Sequence, residues 1–235
     1  MSSEQLILLF GFAIMAIGSF TIFAHGDKRR EYRHHTQFHS VVPFIAATAY
    51  LAMFLGTGVI EAGGSTLYLP RYLDWSVTTP ILLAGLILTG LHEHPRHSTY
   101  ILPAIVLDVI MIVTGLAAAL TDDPTQKLIW FAWSCAAFAG VLYILWKPVR
   151  DVAADLGGGM ETVYRRNLTF LTAVWLIYPL AFAAGPEWLG VIGATGSLLL
   201  ILVLDVTAKV IYGFVATSRF KKLPDGTDGQ TRRYG

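Results

Sequence analysis

Leu198-Leu199-Leu200-Ile201-Leu202-Val203-Leu204-Asp205-Val206-Thr207-Ala208-Lys209-Val210-Ile211 is an apolar run interrupted by two opposite charges. It belongs to a block over about 189–217, long enough to cross a hydrocarbon layer of roughly 30 Å, which takes about 20 helical residues. Asp205 and Lys209 stand four residues apart, one above the other on a helix face. Lys209 is too central in the block to reach either interface, and a lysine at that depth is costly enough to mark function. Two readings are open. The pair can be a structural ion bridge between helices, or the amine can be used covalently. A desolvated lysine loses its proton readily, which suits it to attack an aldehyde and form a Schiff base.

Six further apolar blocks precede this one, at about 4–25, 38–60, 72–91, 99–120, 127–147 and 165–185. Of the 235 residues 54% are hydrophobic and 14% charged, with a mean hydropathy of +0.58. The fold class is therefore an all-α membrane protein, a bundle of seven transmembrane helices. Short polar stretches separate the blocks, and the longest connection is 148–164, where Gly157-Gly158-Gly159 is expected to break any helix. Residues 1–222 read as one transmembrane domain and 223–235 as a disordered cytoplasmic tail, with no repeat and no separate soluble domain. The first block starts almost at Met1 without a basic leader and reads as a retained helix. The single cysteine, Cys135, excludes a disulfide framework or a cysteine metal site. A net charge of +1 gives no case for nucleic acid as a partner.

Charge also orients the chain. All of the 17 lysines and arginines except Arg71, Lys127 and Lys209 fall in or beside the first, third and fifth loops and the C-terminal tail. Positive charge stays cytoplasmic, so the N-terminus is expected outside and the C-terminus inside.

A second acid comes from the third block, Arg71-Tyr72-Leu73-Asp74-Trp75-Ser76-Val77-Thr78-Thr79-Pro80. Asp74 and Thr78 share a face, and Arg71 lies three residues outward. Two carboxylates around one buried cation keep that cation charged until something disturbs the cluster. Aromatic residues recur at matching depth: Tyr50, Trp75, Trp130, Phe138, Trp175, Tyr178 and Phe182. Such residues commonly just pack, but Trp175 and Tyr178 before Pro179, with Trp75 beside Asp74, would line a long apolar slot.

The segment from Arg71 to Pro80 and the segment Leu204-Asp205-Val206-Thr207-Ala208-Lys209 resemble the third- and seventh-helix signatures of microbial (type 1) rhodopsins. Arg166-Asn167 through Trp175, Tyr178 and Pro179 resembles their sixth helix, Asp108 through Met111 to Gly115 their fourth, and Pro43 with Tyr50 and Met53 their second. The likeness runs from about residue 5 to 217. It implies all-trans retinal held on Lys209 as a protonated Schiff base, in a light-driven ion transporter of the plasma membrane and not an enzyme. Asp74 matches the primary proton acceptor, Asp205 the second counterion, and Arg71 the cation that couples both to the outer surface. Thr78 would hydrogen-bond Asp74, and Tyr50 and Tyr178 would bond Asp205. Trp75, Thr79, Leu82, Met111, Ser134, Phe138, Trp175, Tyr178 and Pro179 would enclose the retinal, with Phe182 where bacteriorhodopsin has a tryptophan. Leu82 points to green rather than blue absorption, and Asp108 matches a buried acid that braces helices.

The chain also departs from its family. Haloarchaeal pumps carry a carboxylic proton donor eleven residues after the acceptor, and that position is Gly85 here. Asp74, Thr78 and Gly85 resemble a smaller bacterial group with an Asp-Thr-Gly pattern. A glycine cannot donate a proton, so water or another side chain must. His39, in the cytoplasmic half of the second block, titrates near neutrality and is expected to face the third helix near Gly85. The other loop histidines, His34, His35, His92, His94 and His97, read as solvated, and no metal is expected. Of the two outer glutamates that usually form a release group, Glu187 matches one, while the other position is Ser197. The resemblance thus implies outward proton transport across a lipid bilayer by a homo-oligomer, trimer or pentamer. Two other readings stay open: a photosensor acting through a separate transducer, and a retinal-free transporter built on the Asp-Lys pair.

Overall fold

A computed structural model of the chain describes residues 1–92 and 97–224. Among the described residues, seven helical spans are long and apolar enough to cross a membrane. The first four are single helices, α1 (Ser3–His25), α2 (Arg33–Phe54), α3 (Leu69–Gly90) and α4 (His97–Leu120). The fifth runs from α5 (Pro124–Ile144) through a π-helical turn (Leu145–Val149) into α6 (Arg150–Leu156). The sixth comprises α7 (Gly158–Trp175) and α8 (Ile177–Ala184). The seventh comprises α9 (Ala194–Asp205), a second π-helical turn (Val206–Ile211) and α10 (Tyr212–Phe220). Neighbours in sequence pack side by side, and the seventh span returns to the first and closes the ring.

The bundle is inside-out relative to a water-soluble fold. Leu6, Phe10, Ile17, Phe20, Leu102 and Leu180 are exposed on its outside, while Asp74, Lys209, Asp205 and His39 are buried within. Helices, like closed β-barrels, satisfy their own backbone hydrogen bonds while presenting such a surface to lipid. Local signals fix several helix starts. Ser2 and Gln5 form a reciprocal capping box on α1. Asp123 accepts from the Gln126 amide ahead of Pro124, the first residue of α5.

Four features differ from the sequence expectations. The second span is shorter at its far end than 38–60, because an antiparallel hairpin, β1 (Val59–Ala62) and β2 (Ser65–Tyr68), follows it. The hairpin turn presses on the end of α4: a Cβ on Gly63 would lie 2.0 Å from the Ala119 carbonyl oxygen, and its φ of 61° also favours glycine. Second, the 148–164 connection is mostly helix. Pro148 cannot donate to the ladder, and the π-helical turn around it absorbs the missing bond. Helix then continues to Leu156, and Gly157, with φ 66°, makes the break. Third, the sixth span is interrupted at Leu176, because the Pro179 ring crowds the carbonyl four residues back, that of Trp175. Fourth, a π-helical turn carries Lys209 itself. The tail expected over 223–235 lies outside the described residues from 225 onward.

Candidate functional site

Lys209, Asp205 and Asp74 meet at the centre of the bundle, all at most 4% exposed. The Lys209 Nζ donates to Asp74 Oδ2 and, at 3.1 Å, to Asp205 Oδ1. The two carboxylates are not equivalent. Asp205 also accepts from Tyr50 Oη at 2.9 Å, Tyr178 Oη at 2.8 Å and Trp75 Nε1 at 3.1 Å. Asp74 keeps its other oxygen, Oδ1, buried and without a partner. Thr78 Oγ1 donates to the Asp74 backbone carbonyl at 2.8 Å and also interacts with the Asp74 carboxyl group. Tyr50 reaches Asp205 because α1 offers Gly11 at the crossing, where any Cβ would sit 2.4 Å from the tyrosine ring.

Toward the end of the bundle that holds the N-terminus, Arg71 is 6% exposed and lies 4.0 Å from Glu187 Oε1. Its guanidinium sits over the Tyr68 ring at 5.2 Å, and burial of that hairpin phenol pushes its pKa up. Arg71 Nε and Glu187 Oε2 are both buried without partners. Lys127 Nζ donates to the Glu187 carbonyl, and to that of Gly63 at 3.4 Å, which ties the α8–α9 loop to the hairpin turn. Ser197 is buried on the same side, both its Oγ and Glu187 Oε2 lying against Gly185.

A cavity of about 130 Å³ lies between α3, α4, α5, α7, α8 and α9. Trp75, Thr79, Met111, Ser134, Phe138, Trp175, Tyr178, Pro179 and Phe182 line it, with Arg71 and Glu187 at one end. Leu82 and Tyr50 do not line it: Leu82 packs in the core with Phe138 and Trp175, and Tyr50 packs against α1 and α9. Lys209 turns its amine to the carboxylates instead, and the link to the cavity is Trp75 and Tyr178, which line it and bond Asp205. An aromatic-walled hollow beside a buried lysine and an unpartnered carboxylate oxygen fits retinal, the group the resemblance implies. Thr79 Oγ1 approaches Asp108 Oδ2 at 2.5 Å, bracing α3 against α4.

His39 is buried, but it does not face α3 as expected. Phe38 occupies that side, its ring carbon 3.7 Å from where a Gly85 Cβ would be. The His39 ring instead meets Tyr212 of α10 edge-on at 5.2 Å, and its Nδ1 has no partner. His35, expected in solvent, is 1% exposed. Helix begins at Arg33, before the expected 38, and turns this residue inward.

The sequence model of the family described as "Bacteriorhodopsin-like protein" matches residues 2–223. The chain belongs to that family. It is 39% identical to Archaerhodopsin-2 of Halobacterium sp. (strain aus-2) over 221 residues, 90% of this chain and 83% of that one. It is 34% identical to Sensory rhodopsin-2 of Haloarcula vallismortis over 191 residues, 81% of this chain and 78% of that one. The crystal structure of the light-driven proton pump LR (Mac) from Leptosphaeria maculans superposes with a TM-score of 0.85 at 26% identity, covering 95% of this chain and 96% of that one. Family membership makes this bacteriorhodopsin-like chain a multi-pass membrane protein of a transporter and receptor family, not an enzyme.

Sequence reasoning missed several cavity residues of this family member, among them Phe131, Cys135, Ile112 and Ile201. Phe131 and Cys135 could have been found, since with Ser134 and Phe138 they complete one helical stripe on α5. Trp130, grouped with the site by depth alone, is 41% exposed on the outside.

Proposed function

We propose that this chain is a light-driven pump that moves protons out of the cell, with its N-terminus outside and its C-terminus in the cytoplasm. The observation that carries the reading is the unequal pair of carboxylates around Lys209. Bound to Lys209 as a protonated Schiff base, all-trans retinal would supply absorption of visible light and a light-induced change of shape. Trp75, Thr79, Met111, Ser134, Phe138, Trp175, Tyr178, Pro179 and Phe182 would hold it along the cavity.

The chain's own groups then set the direction of the proton. Each of the three neutral donors on Asp205 contributes roughly 1.5–3 kcal/mol to a charged acceptor, so protonating Asp205 forfeits interactions that protonating Asp74 does not. Asp205 therefore stays anionic, and the proton of Lys209 Nζ passes to Asp74. Once Asp74 is neutral, Arg71 has one fewer anion on its inner side, and its interaction with Glu187 gains weight. Ser197 cannot share a proton between carboxylates as a second glutamate would, so release is late or comes from Asp74 by way of Arg71. Return of a proton to Lys209 Nζ comes from the cytoplasmic end, through His39 in the absence of a carboxylate at Gly85.

A second reading, a photosensor, is favoured by the similarity to Sensory rhodopsin-2. One experiment separates them: the pH of an unbuffered suspension of cells expressing the chain with added all-trans retinal. Acidification in light that a protonophore abolishes is expected of the pump. A coloured protein with no pH change would overturn pumping and favour the sensor.

A further inference from the structure

Four buried polar atoms without partners follow one another at the end of the bundle remote from the N-terminus. They are both ring nitrogens of His35, Nδ1 of His39 and the Tyr212 hydroxyl. Buried polar groups are nearly always satisfied, by protein or by ordered water, and these four have no protein partner. His35 and His39 are one turn apart on α2, a rise of about 6 Å. The His39 ring meets Tyr212, which stands three residues beyond Lys209 on the seventh span. At the other end, the His34 ring lies 4.1 Å from His35 and is partly exposed.

We propose that His34 and His35 form the entry of a hydrated proton-uptake file that runs through His39 and Tyr212 toward Lys209. The proposal rests on the reading of His39 as the group that returns the proton. Each cycle takes one proton from bulk water into the His35 ring, from His35 to His39, and from His39 to Lys209 Nζ; no electron moves. The surroundings suit the task. The flat contact of His35 on Phe220, with centroids 4.2 Å apart, holds the ring in line. Phe220 is itself fixed by Arg29, whose guanidinium donates to the Phe220 carbonyl at 2.7 Å and to that of Leu223 at 2.8 Å. Asp27 orients that guanidinium, with contacts of 2.6–3.1 Å.

Flash-induced recovery of the visible band of the full chain, loaded with all-trans retinal, tests the file in His35→Phe and His39→Phe. Phenylalanine keeps the stacking and removes the nitrogens. Both variants are expected to slow recovery at neutral pH by roughly 10²-fold, the lower end of what a positioned acid–base group contributes, and azide, a small weak acid, is expected to restore it. Slow recovery in His39→Phe with wild-type recovery in His35→Phe would overturn the file and leave the donor reading intact. Wild-type recovery in His39→Phe would overturn both. A readout independent of the photocycle uses the unsubstituted chain in the dark, as magnetisation transfer from water to the imidazole nitrogens in lipid. Transfer to both His35 and His39 is expected, and a dry His35 ring would overturn the proposal even if the variants failed to fold.

Discussion

Replacing Gly11 by alanine should damage the charge cluster from a helix that contributes no charge to it. The new Cβ would lie 2.4 Å from Tyr50 Cδ1 and 2.7 Å from Cε1, so the ring must retreat by roughly 1 Å to reach ordinary van der Waals contact. Tyr50 is 2% exposed among Leu8, Met15, Ala47 and Leu202, and has little room to retreat without leaving Asp205. Its 2.9 Å bond to Asp205 would then stretch beyond hydrogen-bonding range. Losing a hydrogen bond to a charged group costs about 1.5–3 kcal/mol, and overpacking adds about 1–3 kcal/mol. Tyr50→Phe loses the first part alone. In the double variant the bond is already gone, so it should be about as unstable as Gly11→Ala, a coupling of about 2 kcal/mol. The assay is equilibrium unfolding by dodecyl sulfate in mixed lipid–detergent micelles for all four proteins. Additivity within about 0.5 kcal/mol would refute the idea that Gly11 acts through the Tyr50–Asp205 bond.

Three further outcomes are expected. Lys209→Ala should give no visible band with all-trans retinal, and should destabilise the apoprotein by about 3–5 kcal/mol because Asp74 and Asp205 lose their common cation; a surviving band would refute the linkage. Asp74→Asn should retain a visible band and lose the light-driven pH change, and continued acidification would remove Asp74 as the acceptor. Asp27, in the loop between α1 and α2, is expected to make stability pH-dependent on the acid side only. Burial works against its ionisation, but the hydrogen bonds and charge of Arg29 outweigh that and hold the carboxyl below the usual range. A depressed acid contributes stability above its unfolded pKa of about 3.9 and loses it as pH falls through the lower folded value. The stability gap between wild type and Asp27→Asn should therefore be flat from neutrality to about pH 5 and shrink below about pH 4. An unchanged gap at lower pH would refute the assignment.

What the sequence discloses and what it hides divide along one physical line. Seven spans and the Lys209, Asp205 and Asp74 cluster are legible because burying a charge or exposing twenty apolar residues is expensive whatever the neighbours do. The facing of a residue within a helix is not, because one step along the chain turns the side chain by about 100°. Phe38 and His39 differ by that one step, and the structure gives Gly85 to the first and Tyr212 to the second. Each π-helical turn adds to the difficulty by changing the number of residues per turn, and nothing in Val206–Ile211 announces the one that carries Lys209. The same limit applies to the two acids. As residue types they are identical and spacing alone does not rank them; only the family resemblance sets Asp74 apart as acceptor and Asp205 as the counterion bonded by Tyr50 and Tyr178. The ranking comes from Tyr50, Trp75 and Tyr178, three donors on three different spans that converge on Asp205 and leave Asp74 Oδ1 bare. In the proposed cycle, which carboxylate takes the proton thus depends on which one the surrounding helices satisfy, and substituting those neutral donors should alter it more subtly than removing either charge.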